Sequence, residues 1–157
     1  MRCRAWCART TVTKVRSSKK RTYAVNVKVS TAGAHHRGAV RIAGKAYAKK
    51  VMTFDGTGIY FHVARVCSTF SASIGVPDGS SDTAELLALT QKKTDLSDEP
   101  VPTFTQVSAG QAPRAVRQSL TGVTLLGIGA GDGVLSVIDP RVRCTVNTLT
   151  APPCGVA

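Results

Sequence analysis

Apolar and polar residues alternate along several short stretches of the chain. Every second residue of 23–29 is apolar, and in 69–76 the apolar residues Phe70, Ala72 and Ile74 are separated by serines. In an extended chain successive side chains point to opposite faces, so strict alternation is typical of a strand with one buried face. These two stretches therefore predict β-strands that pack on a core.

Similar runs recur along most of the chain, separated by turn-forming residues. The stretches 54–58 and 77–82 are rich in Asp, Gly and Ser and predict turns, and 31–38 predicts a loop. The helix-forming run at 84–90 is too short for a helix of more than two turns and is interpreted as a strand. The predicted strands are 23–29, 40–42, 47–52, 59–66, 69–76, 84–90, 101–107, 115–120, 123–128, 134–138 and 142–149. Short strands at intervals of about 8–12 residues are typical of an all-β sandwich or barrel.

The positive charge is concentrated at the amino-terminal end. The chain has a formal charge of +12, and its first 50 residues hold 14 basic residues and no acidic one, whereas the remaining 107 hold 7 basic and 9 acidic residues. Residues 1–21 show no lasting periodicity and are predicted to be a disordered basic leader. We expect one β-sandwich domain at 22–149, followed by a tail at 150–157.

Composition argues against two classes of partner. The leader has a single aromatic residue, Trp6, and no stacking platform beside its charges, so a nucleic-acid partner is disfavoured. The longest apolar stretch, 122–138, is interrupted by Asp132 and five glycines, so the sequence predicts no membrane span. No secretory signal peptide is readable, because no apolar segment follows the basic start.

No constellation of catalytic residues is evident, and the protein is predicted not to be an enzyme. The chain has no G-x-S-x-G motif, and His35 and His36 fall in the predicted loop. His62 has no identifiable partner. The glycine-rich stretch 127–133 lacks the Lys-Ser/Thr ending of a phosphate-binding loop and predicts a tight connection between strands.

The five cysteines allow two interpretations. Cys3 and Cys7 lack a second ligand pair at zinc-like spacing. Cys144 and Cys154 would close a short loop in an exported protein, whereas the other interpretation leaves all five thiols, that of Cys67 included, reduced.

Six motifs occur in an order that resembles a known family. They are VRIAGKAYAKKV at 40–51, the strand 59–66, FSASIGVPD at 70–78, GQAPRAV with LTGVTL at 110–116 and 120–125, GDG at 131–133 and DPRV at 139–142. This order is similar to that of the NPCBM family (novel putative carbohydrate-binding module) and covers roughly residues 38–144. The resemblance implies a galactose-binding-like jelly-roll sandwich that binds a glycan, of galactose type, without cleaving it.

The resemblance also carries expectations about site, cofactors and location. Sugars need an apolar face and a few fixed polar groups, which loops at one end of a sandwich normally supply. The candidate carbohydrate-binding residues are Phe54, Asp55, Asp78, Asp82 and Asp132. No cofactor is required, and the resemblance allows a structural calcium ion. It also implies an extracellular or cell-surface protein fused to or associated with a glycoside hydrolase.

One departure from the family leaves a second hypothesis open. The longer polar loop that the family carries before its last strand is replaced here by the apolar stretch 134–138. The alternative is a structural or protein-interaction sandwich that has lost sugar binding and whose basic leader contacts anionic surfaces or nucleic acid.

Overall fold

The described part of the chain is built from β-strands. The structure is a computed structural model that describes residues 8–14, 22–29, 35–56, 58–63, 67–92 and 99–144, with the backbone alone described for 8–14, 22–29, 35–37 and 59–62. The strands are β1 (Ala8–Lys14), β2 (Thr22–Val29), β3 (His35–Arg37), β4 (Val40–Ile42), β5 (Lys45–Tyr47), β6 (Val51–Asp55), β7 (Gly58–His62), β8 (Cys67–Gly75), β9 (Thr83–Gln91), β10 (Val101–Ser108), β11 (Arg114–Ser119), β12 (Leu125–Asp132) and β13 (Val134–Cys144).

Two antiparallel sheets form a sandwich. The large sheet has seven strands, in which β13 pairs on one side with β6 and β2 and on the other with β8, and β8 pairs with the edge strand β11. The small sheet has the order β10-β9-β12-β7, and a separate hairpin joins β4 to β5. No helix occurs among the residues that the structure describes, which confirms the predicted all-β class. Accordingly, no helix there is long and apolar enough to cross a membrane.

The core lies between the inner faces of the two sheets. In β8 the alternation predicted from the sequence is confirmed, because Phe70, Ala72 and Ile74 are buried while the serines between them are half-exposed. Leu86 of β9 and Leu126 of β12 pack in the same cluster. Burial of each large apolar side chain contributes about 1.5–3 kcal/mol, so this cluster is the main stabilising element.

A β-bulge divides the central strand β13. Between Ile138 and Arg141, β13 advances by three residues while β8 advances by two. Asp139 within the bulge has a left-handed φ of 48°, and its N–H donates to the carbonyl of Lys50 at 2.8 Å. The bulge is also where β13 exchanges β6 for β2 on its other edge. One strand thereby serves two consecutive neighbours.

The sequence prediction at this point was wrong. It placed two strands at 134–138 and 142–149, with Asp139 and Pro140 between them. The structure has one strand, since a bulge leaves residues out of the ladder and so tolerates proline. Residues 145–149 and the predicted tail lie outside the described residues.

The β4–β5 hairpin covers part of the outer face of the large sheet. Ile42 is buried yet lies outside the inter-sheet core, and its side chain would stand 3.0 Å from a Cβ added to Gly75. Beneath the hairpin, the hydroxyls of Thr53 and Ser136 form a buried hydrogen bond of 2.7 Å. The absence of a side chain at Gly75 therefore lets the hairpin approach the sheet.

A disulfide joins β8 to β13. Cys67 and Cys144 are cross-strand neighbours, both side chains are buried, and the bond closes a segment of 77 residues. Both sequence interpretations are thus wrong for these residues. Cys144 is not bonded to Cys154, and neither Cys67 nor Cys144 is a reduced thiol. Cys3, Cys7 and Cys154 lie outside the described residues.

The predicted disordered leader was too long. Residues 8–14 form β1, which pairs with β2 along its whole length, so this part belongs to the large sheet. Residues 1–7 and 15–21 lie outside the described residues.

Three smaller predictions also change. His35 and His36 lie in strand β3, paired with β6, rather than in a loop. The predicted strand 47–52 divides between β5 and β6, and most of the glycine-rich stretch 127–133 belongs to β12 with its turn at Gly133.

Candidate functional site

The four candidate aspartates lie at one end of the sandwich. Asp55 and Asp132 are the last residues of β6 and β12, and Asp78 and Asp82 lie in the connection from β8 to β9. Antiparallel pairing of β13 with β6 and β8, and of β12 with β9, brings these strand ends together. The fold thus gathers acids that are up to 77 positions apart in the sequence.

Asp78 serves the fold at this end. Its two carboxylate oxygens accept hydrogen bonds from the backbone N–H groups of Ala43 and Gly44, at 2.8 and 2.9 Å. Its own N–H donates to the carbonyl of Arg41 at 2.8 Å. Because both oxygens are engaged by the β4–β5 turn, Asp78 anchors the hairpin to the end of the sandwich.

The other three aspartates, here called the end-loop acids, are exposed. Asp55 stands opposite Val134 in the ladder between β6 and β13. The N–H of Val134 donates to the hydroxyl of Ser81 at 3.1 Å, and Ser81 is the residue before Asp82. Asp132 accepts a hydrogen bond from the N–H of Gly133 at 2.9 Å with one oxygen. The end-loop acids therefore present carboxylate oxygens to solvent from rigid strand ends, where they are able to accept hydrogen bonds from hydroxyl groups.

The predicted sugar-contacting role of Phe54 is corrected. Its side chain is 0% exposed and belongs to the inter-sheet core, since it alternates with outward-facing neighbours along β6. The Asp-Gly turn signal beside it suggested a loop, but the turn begins one residue later, after Asp55. Tyr47 of the β4–β5 hairpin is a half-buried ring that the sequence did not single out, and Lys45 places its ammonium 5.5 Å from the ring centroid.

The described acids do not assemble a calcium site. Within the described ranges, no three or more His, Cys, Asp or Glu side chains converge as they would on a metal ion. Asp78 also has both oxygens committed to the backbone. Ca²⁺ takes six to eight oxygen ligands, which include backbone carbonyls as well as carboxylates, so the structural calcium ion stays a prediction.

A cleft opens along one side of the sandwich, between the edge strands β10 and β11. It encloses about 220 Å³, with Phe70 and Leu86 on its floor and Thr103, Thr105 and Gln118 along its walls. Arg114 crosses the cleft, where its guanidinium donates to the carbonyl of Gln106 at 3.5 Å. The sequence did not predict this cleft, because its position depends on which strand lies at the edge of each sheet.

Comparisons with known proteins identify the fold. No family model matches the chain, and no curated protein matches it either. Among solved structures, it is similar to the CBM51 module from Clostridium perfringens GH95 in complex with methyl-galactose, with a TM-score of 0.50 and 13% identity over 73% of this chain and 91% of that one. The described strands therefore have the sandwich fold of CBM51 carbohydrate-binding modules.

Two structures from the Clostridium perfringens protein ZmpB are also similar. One is its CBM51-2 module in complex with GlcNAc, with INT domains (TM-score 0.52, 8% identity, 74% of this chain). The other holds its M60 catalytic domain with two CBM51 modules (TM-score 0.51, 10% identity, 88% of this chain). The chain spans 29% and 20% of those two chains. It therefore corresponds in size to one module of each larger protein.

Proposed function

We propose that this protein is a non-catalytic carbohydrate-binding module of the NPCBM type. The observation that carries the proposal is the position of three exposed carboxylates at one end of a CBM51-like sandwich. One of the similar structures is described as a complex with methyl-galactose and another as a complex with GlcNAc. Both ligands are neutral pyranoses, and a galactose-type sugar is the ligand that we infer for this chain.

The chemistry at this end is that of recognition. Ionised Asp55, Asp82 and Asp132 act only as acceptors, which suits the hydroxyl groups of a sugar. Each carboxylate stands at or beside the end of a paired strand, so little conformational entropy is lost when the ligand binds. Binding by such acceptors needs no bond cleavage and no cofactor.

The disulfide supports an extracellular location. Disulfides persist in oxidising compartments and are rare in the cytosol, and Cys67–Cys144 joins the start of β8 to the end of β13. An exported carbohydrate-binding module is typically one part of a longer enzyme. We therefore propose that this domain is fused to, or associated with, a glycan-processing enzyme such as a glycoside hydrolase.

Isothermal titration of the full chain with methyl-galactoside and with GlcNAc, each with calcium and with EDTA, tests the proposal. We expect binding of methyl-galactoside, and Asp55→Asn and Asp82→Asn should each weaken it about tenfold through loss of a charge-assisted hydrogen bond. Glu99→Gln is the matched control, because Glu99 is an exposed acid at the opposite end of the sandwich. This control should bind as the wild type does.

Two results would contradict the proposal. Failure of the wild type to bind either sugar, or to bind any member of a glycan array, would favour the interaction sandwich described above. If Asp55→Asn and Glu99→Gln lost sugar affinity to the same extent, the end loops would not be the binding site.

A further inference from the structure

A basin lies on the outer face of the large sheet, well apart from the end-loop acids. It encloses about 390 Å³ where β11, β8 and β13 run side by side. Its floor is made of small residues, Ser71 and Ser73 of β8 and Ala115 of β11, whose side chains alternate with those of the core. The volume is within the range of small-molecule sites, which is about 300–1,000 Å³.

Two arginines flank the floor of the basin. The register places Arg117 of β11 and Arg141 of β13 directly on either side of Ser71. Because neighbouring strands lie about 4.8 Å apart, the two arginine Cα atoms are separated by about 10 Å across the central serine. Cross-strand neighbours share a face, so both arginine side chains leave the sheet on the same face as Ser71.

Of the two arginines that line the basin, Arg141 is paired with a carboxylate and Arg117 is not paired with any described residue. Arg141 is held by Asp139, whose Oδ2 lies 2.8 Å from both Nε and Nη2 of the guanidinium, and Lys50 places its ammonium 3.5 Å from Oδ1 of the same carboxylate. Arg117 is exposed and makes no ion pair with any residue that the structure describes. Among the residues that line the basin, Asp139 is the one acid, so the basin carries a net positive charge.

The bulge in β13 creates this arrangement. Because Asp139 and Pro140 interrupt the ladder, Arg141 stands opposite Ser71, and its guanidinium donates to the carboxylate of Asp139. On its far side the basin is bounded by the β4–β5 hairpin, which covers the next row of the sheet at Gly75 and Ser136. The result is a shallow depression that is open to solvent beside the hairpin.

We infer that this basin is a second binding site, which takes the anionic substituent of an acidic sugar. Arginine presents a planar fork of N–H donors that matches a carboxylate or sulfate group, and Arg117 has no ion-pair partner within the described ranges to compete for that pairing. The hydroxyls of Ser71 and Ser73 both donate and accept, as the neighbouring ring hydroxyls require. The inference rests on the proposed function in that the ligand is a glycan, but it uses different residues and a different chemistry.

Titration of the full chain with a trigalacturonate tests the second site. The matched probes are the methyl ester of the same trisaccharide, which is neutral, and a sulfated galactose trisaccharide, which carries the other anion. We expect the wild type to bind at least one anionic probe and to bind the methyl ester at least about tenfold more weakly. Arg117→Gln should weaken anion binding about tenfold or more, through loss of hydrogen bonds to a charged group.

Arg143→Gln is the matched control, because Arg143 is an exposed arginine on β13 that does not line the basin. It should change binding less than about twofold, while Arg117→Lys should lie between the wild type and Arg117→Gln. Unchanged thermal midpoints would show that the variants are folded. A carboxylate-only or sulfate-only response of the wild type identifies the anion, and either one supports the site.

The opposite results are distinct from those that test the end loops. Equal losses in Arg117→Gln and Arg143→Gln would show diffuse attraction to a basic protein and overturn the inference. The same holds if the methyl ester binds as well as the acid, if neither anion binds, or if Asp55→Asn abolishes binding of the anionic probes. Loss of neutral-sugar binding alone would affect only the end-loop proposal.

Discussion

Reduction of the Cys67–Cys144 disulfide should remove a large share of the stability of this domain. The bond closes a segment of 77 residues. In the chain-entropy description, releasing a loop of that length raises the entropy of the unfolded chain by about 15 cal/mol/K, or about 4.5 kcal/mol in the free energy of unfolding at 25 °C. Domains of this size have free energies of unfolding of about 5–15 kcal/mol, so reduction should remove from about a third to nearly all of that stability.

Equilibrium urea unfolding of the oxidised and reduced wild type measures this difference directly, because both sulfur atoms are present in each form. With a slope of about 2 kcal/mol/M, the midpoint should fall by about 2 M urea on reduction. Cys154→Ala should unfold as the oxidised wild type does, whereas Cys67→Ala should unfold at the lower midpoint with or without reductant. A difference below about 1 kcal/mol between the two wild-type forms, or a midpoint in Cys154→Ala as low as that of Cys67→Ala, would refute the reasoning.

Two further predictions concern the turns and the outer face of the large sheet. Gly133→Ala should cost about 3 kcal/mol or more, because φ is +65° and the added Cβ would lie 2.2 Å from the carbonyl oxygen of Thr83. Gly79→Ala, at φ +75° with open space around it, should cost only about 1–2 kcal/mol in the same thermal melts, and equal costs would contradict the steric account. Ser136→Ala should cost about 1–3 kcal/mol because it leaves the buried Thr53 hydroxyl without its partner. Adding Thr53→Val should then cost less than it does alone, and strict additivity in the double-mutant cycle would show that the two hydroxyls are not coupled.

The fold class was readable from the sequence because it depends on local alternation. The pattern of β8 predicted a strand with Phe70 and Ile74 facing inward, and the structure confirms both residues in the core. The run at 84–90 was likewise assigned correctly to a strand, although its residues favour helices. There, length and flanking turns outweighed intrinsic propensity, since the two packed sheets leave no place for a helix.

Features that depend on register were not readable. The disulfide between Cys67 and Cys144 requires knowing that β8 and β13 are neighbours, which no spacing along the chain reveals. The same is true of the pair Arg117 and Arg141, which flank one serine only after three strands align. The prediction for Phe54 was wrong for a more local reason. A turn signal indicates that a loop is near, but it does not show at which residue the strand ends.

The end-loop acids lie between these two extremes. Turn chemistry identified Asp55, Asp82 and Asp132 as loop or turn residues, and their role as sugar ligands stays a prediction. The sequence did not show that Asp78 differs from them, since its two acceptors are committed to a hairpin 34 and 35 residues away along the chain. This anchoring role of Asp78 can be seen only when the position of the hairpin backbone is known.

The exchange of neighbours at the bulge of β13 also sets the order in which this sheet opens. Among the described residues beyond the bulge, β2 is joined to β13 through residues 141–143 alone, and β1 is paired only with β2. That ladder has three pairs against seven between β13 and β8, so the amides that join β2 to β13 should exchange before those between β13 and β8, by detachment of β1 and β2 together. Detachment would not spread further, since on its other edge the same stretch of β13 is bonded covalently to β8 through Cys144. In the large sheet, β8 and β13 are thus joined covalently while β1 and β2 detach as a unit, so loss of β1 and β2 need not release the core.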